Sequence, residues 1–335
     1  MSAVTMREVA NRAGVSKATV SHVLNQTRFV EAETVKRVQE AMDALGYRPN
    51  RLARSLRRQE TQTIALITPD NANVYWAEFA RVVERAGFTA GYTVFLCNSE
   101  WSMEREHQYV ETLLERQIDG IILAVTHNSQ SVLDKVIAAR LPVVVVNVMP
   151  VEPKVSSVKV DEFLGGYLAG AHLLQLGHRR VGYLNTSKAY SVETRVNGFL
   201  HAFTEAGLDT AALPTAEGDF SYASGEAGVY ELLRQQPDLT AIFAVNDNMA
   251  LGAYKGLHRM KRRIPEDVSV VGFDNIVYAT ALSPELTTVA QPIQQLGETA
   301  CRLLLNKIEV PDSPPESVVL EPILIERASC RKPIN

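Results

Sequence analysis

A chain of 335 residues is longer than one hydrophobic core usually organises, and its 46% hydrophobic residues suffice for two or three globular units. The formal charge of −4 hides a division: residues 1–60 carry 11 Lys/Arg against 6 Asp/Glu, a surplus of +5, and the remainder carries 23 against 32, a deficit of −9. A basic head on an acidic body marks local binding of a polyanion, and the three scattered cysteines, Cys97, Cys301 and Cys330, offer neither a CxxC pair nor a disulfide framework.

The N-terminus reads Arg7, Glu8, Asn11 and Arg12 where an export signal would be apolar. No apolar run approaches the roughly 18 residues of a membrane span, so a cytoplasmic protein without membrane contact is expected. Thr5 and Glu8 form a capping box for a first helix whose inward stripe is Val9, Ala10 and Ala13, and Gly14 ends it. Ser16 can cap a second helix reaching Asn25, with Val20, Val23 and Leu24 inward and Lys17, Ala18, Ser21 and His22 outward. A third helix spans 32–45 and stops at Gly46. Two helices across a tight glycine turn, braced by a third, give helix-turn-helix geometry, although a small three-helix bundle without a ligand shows the same pattern.

Residues 47–60 contain Pro49 and the arginines 51, 54, 57 and 58 among exposed leucines. This stretch is too short to be a stable helix alone; it is either a solvated linker or a helix that folds on DNA. From Thr63 the rhythm becomes strand, helix, strand, with strands over 64–67, 93–97, 121–125 and 143–146. The rhythm restarts after Asp161, with strands over 181–184, 241–245 and 268–273 and a last strand from Val318 to Ile325. The fold class expected is therefore an all-α helix-turn-helix head plus a two-lobed, doubly wound α/β body whose cleft lies at the carboxyl ends of its strands.

Val4 to Ala10, Ala13 to Ser16, Thr19 to Asn25, Tyr47 to Asn50 and Ala53 to Leu56 resemble the head and hinge of the lactose-repressor family of transcription regulators. Val245-Asn246-Asp247, Val270 to Asn275, Leu286 to Val289 and Gln291-Pro292 resemble that family's effector body. Thr27 to Val30, Ser21-His22 and Leu296 to Ala300 are similar to its purine- and ribose-responsive branch. The resemblance implies a periplasmic-binding-protein-like body with chain crossings near Asp161, Gln291 and Leu320. The domains are then a head over 1–46, a hinge over 47–60, an N-terminal lobe over 61–161 plus 291–320, and a C-terminal lobe over 162–290 plus 321–330.

On this pattern Lys17, Ala18 and His22 read base edges, and Thr5, Ser16, Thr19, Ser21 and Asn25 cap helices or contact phosphates. Leu56 would wedge between base pairs from the minor groove with Asn50 and Ala53 beside it, which requires a symmetric partner and so a homodimer on a pseudo-palindromic operator in double-stranded DNA. The apolar faces of the helices near 76–90 and 293–305 are expected to form the dimer.

The effector contacts implied are Asn73, Tyr75, Trp76, Asn147, Ser191, Arg195, Phe220, Asn246, Asp274 and Gln291. Amides, a carboxylate and a guanidinium beside flat rings suit a small sugar or sugar phosphate, with Asp274 accepting from hydroxyls and Arg195 donating. Purine-sensing members place an Arg where Ala189 stands, and the lactose-type member an Asp at Asn147, so neither a purine nor a β-galactoside fits well. Sugars in the family usually release DNA, and release is the sign expected here. A periplasmic sugar carrier would lack residues 1–60; a nicotinamide or hydrolytic enzyme would need a GxGxxG, HExxH or GxSxG motif that the chain does not contain. No metal and no cofactor is expected.

Overall fold

The computed structural model describes residues 4–25, 28–47, 61–124, 130–147 and 155–334. Residues up to Thr61 and those from Gln62 onward form two compact units. In the first, the Thr5–Glu8 capping box opens α1 (Met6–Ala13), and Gly14, at φ 66°, closes it in the left-handed region that only glycine adopts cheaply. Ser16 accepts a hydrogen bond from the Thr19 amide at 3.0 Å at the start of α2 (Lys17–Asn25), and α3 (Ala32–Leu45) ends at a left-handed Gly46. Val9, Ala10, Ala13, Val20, Val38 and Ala41 are buried together as the core of this unit.

The second unit holds two six-stranded sheets. The first sheet contains β1 (Thr63–Thr68), β2 (Thr93–Asn98), β3 (Gly120–Ala124), β4 (Val143–Val146), β5 (Ser156–Val160) and β11 (Ser317–Leu320), in the spatial order β11-β5-β4-β3-β1-β2. It is parallel throughout. The second contains β6 (Val181–Asn185), β7 (Thr215–Glu217), β8 (Ala241–Ala244), β9 (Ser269–Asp274), β10 (Thr287–Ala290) and β12 (Ile323–Ile325). Its order, β12-β10-β9-β8-β6-β7, repeats that of the first. Only the β10–β12 pair runs antiparallel. The helices are α4 (Val74–Thr89), α5 (Met103–Glu115), α6 (Gln130–Ala138), α7 (Glu162–Gln175), α8 (Tyr190–Glu205), α9 (Tyr222–Gln235), α10 (Asp247–Arg259) and α11 (Ile293–Glu309). Because β3, β4 and β8 are buried along their whole length, they read in sequence as unbroken apolar runs.

Two helix pairs approach until their backbones touch. A Cβ on Gly166 of α7 would lie 1.7 Å from the Arg195 carbonyl oxygen, and one on Gly198 of α8 would lie 1.9 Å from that of Phe163. Gly225 of α9 and Gly252 of α10 make the same kind of contact, at 2.1 Å from Met249 O and 2.0 Å from Tyr222 O. These glycines set the depth at which α8 and α10 present their N-termini to the space between the sheets.

One expectation needs correction. The run 318–325 is not one strand: Glu321-Pro322 separates β11 in the first sheet from β12 in the second, because Pro322 has no N–H to donate to a continuing ladder. The helices expected to form the dimer, α4 and α11, lie side by side in the first sheet's half of the body. They pack on each other, with Phe79, Val82, Val83, Leu296, Ala300, Leu303 and Leu304 buried and Gly297 seated against Val82. Apolar surface remains on α4, where Phe88 is 74% exposed, and on the edge strand β2, where Phe95 is 39% and Leu96 50% exposed.

Candidate functional site

Between the carboxyl ends of the two sheets lies a cleft enclosing about 460 Å³, open mouth included. All ten effector residues expected from the sequence line it, joined by Trp101, Ala189 and Val192. Its position follows from strand order: α4 leaves β1 and α8 leaves β6, the points in each sheet where the order reverses. Asn73 caps α4 by accepting from the Tyr75 amide at 3.0 Å, and Asn246 caps α10 by accepting from the Met249 amide at 2.9 Å. Both amide oxygens are thereby committed, and the Asn246 Nδ2 donates to Phe220 O at 3.2 Å.

A relay crosses the cleft floor. Asn147 Nδ2 donates to Tyr75 Oη at 3.3 Å, Tyr75 Oη to Gln291 Oε1 at 3.0 Å, and Gln291 Nε2 to Asp274 Oδ1 at 2.7 Å. It runs from the first sheet, through the β10–α11 crossing, to the end of β9. Asn147 Oδ1 is buried and has no hydrogen-bond partner among the described residues. A buried amide oxygen of that kind costs about 1–3 kcal/mol until something donates to it.

Arg195 is 4% exposed, and its guanidinium stands 3.5 Å from the centroid of the Phe273 ring. Its Nε and Nη2 donate to Glu162 Oε2 at 2.8 and 2.7 Å, and its Nη1 donates to Val245 O. The Gly166–Gly198 contact holds that pair in register. Of five N–H donors, two remain for a ligand. Burial pushes the Asp274 carboxyl well above the ordinary carboxylate range; Asp247 and Glu162 add to the shift, while Arg195 and Gln291 oppose it. Burial likewise raises Glu162 against the pull of Arg195. Asp247 lies behind Asp274, accepting from Thr288 Oγ1 at 2.7 Å and from the Ile276 amide at 2.9 Å, and burial lifts its carboxyl to about 7.

Sequence reasoning missed Trp101, Val192 and Glu162. Trp101 follows the carboxyl end of β2, where the crevice rule alone could have flagged it. Nothing local distinguishes Glu162 from a helix-start acid.

In the head, Lys17 and Ala18 are exposed on the first turn of α2, and Ser21 and His22 are half-buried one turn on. Thr5 serves its own capping box, and Ser16 and Thr19 share a 2.9 Å hydroxyl contact. The Asn25 side chain and the hinge positions Asn50, Ala53 and Leu56 lie outside the described residues. Among the described residues no helix is long and apolar enough to cross a membrane, and no group of three His, Cys, Asp or Glu gathers as metal ligands.

A helix-turn-helix head and a two-lobed α/β body with a polar, aromatic-lined cleft define a ligand-controlled DNA-binding regulator. Residues 5–50 match the lacI family of bacterial regulatory proteins, and residues 171–330 match the periplasmic binding protein-like domain. The chain is 35% identical over 331 residues to the HTH-type transcriptional repressor PurR of Aliivibrio salmonicida, spanning 98% of this chain and 99% of the relative. It is 36% identical over 332 residues to the ribose operon repressor of Escherichia coli, spanning 97% and 99%. Among solved structures, the lac repressor dimer bound to operator and the anti-inducer ONPF superposes with a TM-score of 0.89 at 28% identity, over 98% of this chain and 100% of that one. A LacI family regulator from Enterococcus faecium with bound ribose gives 0.75 at 32% identity, over 81% and 99%. The chain belongs to the LacI family of transcription regulators.

Proposed function

We propose that this regulator is a cytoplasmic homodimeric repressor that binds a pseudo-palindromic operator and is released from it by a small uncharged sugar, a pentose or hexose, held in the cleft. The observation that carries the ligand class is the charge balance of the cleft. Among the described residues its one cation, Arg195, is already paired with Glu162, and Asp274 lies on the same floor. A phosphate monoester brings a charge of about −1.5 to −2 at neutral pH. Among the described residues its only compensation would be the N-terminus of α8, where Ala189 provides no side-chain cap. A helix terminus contributes about 0.3–1 kcal/mol, up to roughly 2 in buried geometry, against several kcal/mol to bury a charge unpaired. Hydroxyls fit better: they can donate to Asn147 Oδ1 and Asp274 and accept from the two remaining Arg195 N–H groups.

Linkage supplies the mechanism. A ligand that prefers closed lobes shifts the population of body conformations, and any conformation that positions the two hinges for DNA gains or loses by the same free energy. The lac repressor dimer on its operator and the ribose-bound relative support the partner classes assigned here. The exposed β2 edge at Phe95 and Leu96 is the surface we assign to the dimer.

The test is retardation of a DNA fragment carrying a palindrome from the gene's own upstream region, titrated with pentoses, hexoses, their phosphates and purines. Free sugar should release the fragment, and Asp274→Ala should lose roughly 10- to 150-fold in sugar affinity, the range for a hydrogen bond to a charged group. Release by purines alone would replace the ligand class, and Asp274→Ala binding as tightly as the parent would remove the site. Leu56→Ala should weaken every operator variant alike.

A further inference from the structure

We propose that Trp101 and Phe220 form an aromatic clasp that closes the cleft over a monosaccharide-sized ligand and must part for the lobes to open. Their rings stack across the cleft with centroids 4.9 Å apart and planes inclined by 19°. Trp101 belongs to the first lobe, after β2, and Phe220 to the second, after β7. The inference rests on the reading that the cleft holds the effector; the stack itself does not.

Topology makes the pair more than a chance contact. Strand β2 is the outer edge of the first sheet and β7 the outer edge of the second. The three crossings between lobes, at Asp161, Gln291 and Glu321, all leave the opposite part of the sheets, from β5, β10 and β11. A hinge motion about those crossings displaces the β2 and β7 ends most, so the stack is the inter-lobe contact with the longest lever. Since the two sheets share one strand order, the two aromatics occupy equivalent places in the two lobes. Each immediately precedes a serine that caps a helix, Ser102 for α5 and Ser221 for α9.

Both rings are also held at a conformational cost. Trp101 has φ 62°, its neighbour Glu100 has φ 51°, and Phe220 has φ 69°. Non-glycine residues there cost about 1–3 kcal/mol each and persist only where surrounding bonds over-determine them. The bonds are present. Ser102 N donates to Ser99 O at 3.0 Å, and the buried Ser99 is tied through its amide to Thr68 O at 2.9 Å. On the other side the Ser221 amide donates to Asp219 Oδ1 at 3.1 Å, and Phe220 O accepts from Asn246. Left-handed turns on both lobes aim one ring at the other. With the stack closed, a disaccharide reaching past the outer edge would have to displace it.

The chain has two tryptophans, Trp76 and Trp101, so Trp76→Phe leaves a full-length protein whose fluorescence reports Trp101 alone. Without ligand, Phe220→Leu in that background should raise acrylamide quenching at least twofold, and Phe220→Tyr, which keeps a ring, should not. Equal quenching in all three overturns the clasp. With D-ribose as probe, Trp101→Ala should speed dissociation in stopped flow roughly two- to twelvefold, the range for an aromatic pair, and Trp101→Phe should restore it. Unchanged dissociation in Trp101→Ala overturns the retaining role. Cellobiose bound by the parent as tightly as ribose or glucose overturns the size limit. If no sugar binds at all, the proposed effector class fails, and the ligand-free quenching still decides the clasp.

Discussion

Replacing Gly166 with Ala tests whether glycine contact between α7 and α8 sets the position of Arg195. The added Cβ would lie 1.7 Å from the Arg195 carbonyl oxygen, half the 3.4 Å at which ordinary contact begins, and 2.8 Å from the Phe199 amide nitrogen. Both neighbours are backbone, so the helices must part. The sign of the outcome is diagnostic. In a helix free of the clash, Gly→Ala would stabilise by about 0.5–1 kcal/mol. Overpacking costs about 1–3 kcal/mol, and separation also pulls Arg195 from Glu162, now at 2.8 and 2.7 Å, in a buried pair whose rupture costs about 3–5 kcal/mol. Net destabilisation of at least about 1 kcal/mol is expected, a fall in Tm of roughly 2–4 °C or more, together with a sugar affinity reduced about tenfold or more because two ligand-facing N–H groups have moved. Differential scanning calorimetry and sugar titration of Gly166→Ala, with Gly198→Ala as its reciprocal, provide the assay. A raised Tm with unchanged affinity would refute the reasoning.

Three further outcomes are expected. Asp247 holds its proton to about pH 7 in the fold against an ordinary 3.8; its contribution, roughly 4 kcal/mol at most, is present below the lower value and lost as pH rises through the higher. Tm should therefore fall between pH 5 and 8 more steeply in the parent than in Asp247→Asn, and parallel curves would contradict this. Leu96→Glu should convert the dimer to a monomer in sedimentation velocity, since it places a charge on an exposed apolar edge strand; an unaltered dimer moves the interface elsewhere. Ser16→Ala removes the acceptor of the Thr19 amide, a cap worth about 0.5–2 kcal/mol, and should weaken all operators uniformly, whereas Lys17→Ala should change base preference in selection from random DNA.

The sequence made most of this molecule legible because its elements announce themselves locally. The capping box at Thr5, the stops at Gly14 and Gly46 and the apolar runs of β3, β4 and β8 need nothing but near neighbours to be recognised. Cleft residues such as Asn73 and Asn246 were reachable because the resemblance to the lactose-repressor family implied them. What escaped depends on relations between distant segments. The three-residue strand β7 gains its identity only from pairing with β6. The split of 318–325 depends on which sheet each half meets, although Pro322 was a signal that a central ladder could not continue. How far α4 and α11 cover each other was not legible, because hydrophobic periodicity states that a face is covered without stating by what.

The buried carboxylates carry the same lesson into chemistry. Glu162, Asp247 and Asp274 lie in three separate segments, and none is unusual in its own. Folding brings them together, and Asp247 and Glu162 both raise the proton affinity of Asp274 while Arg195 opposes them. Asp274 can accept a hydroxyl hydrogen bond with full strength only when ionised. A ligand that donates to it therefore favours proton release from a carboxyl whose proton affinity burial has raised, and sugar affinity should rise with pH through that raised range. Ligand class, proton linkage and the Gly166 contact that keeps Arg195 paired with Glu162 are thus consequences of one crowded set of side chains.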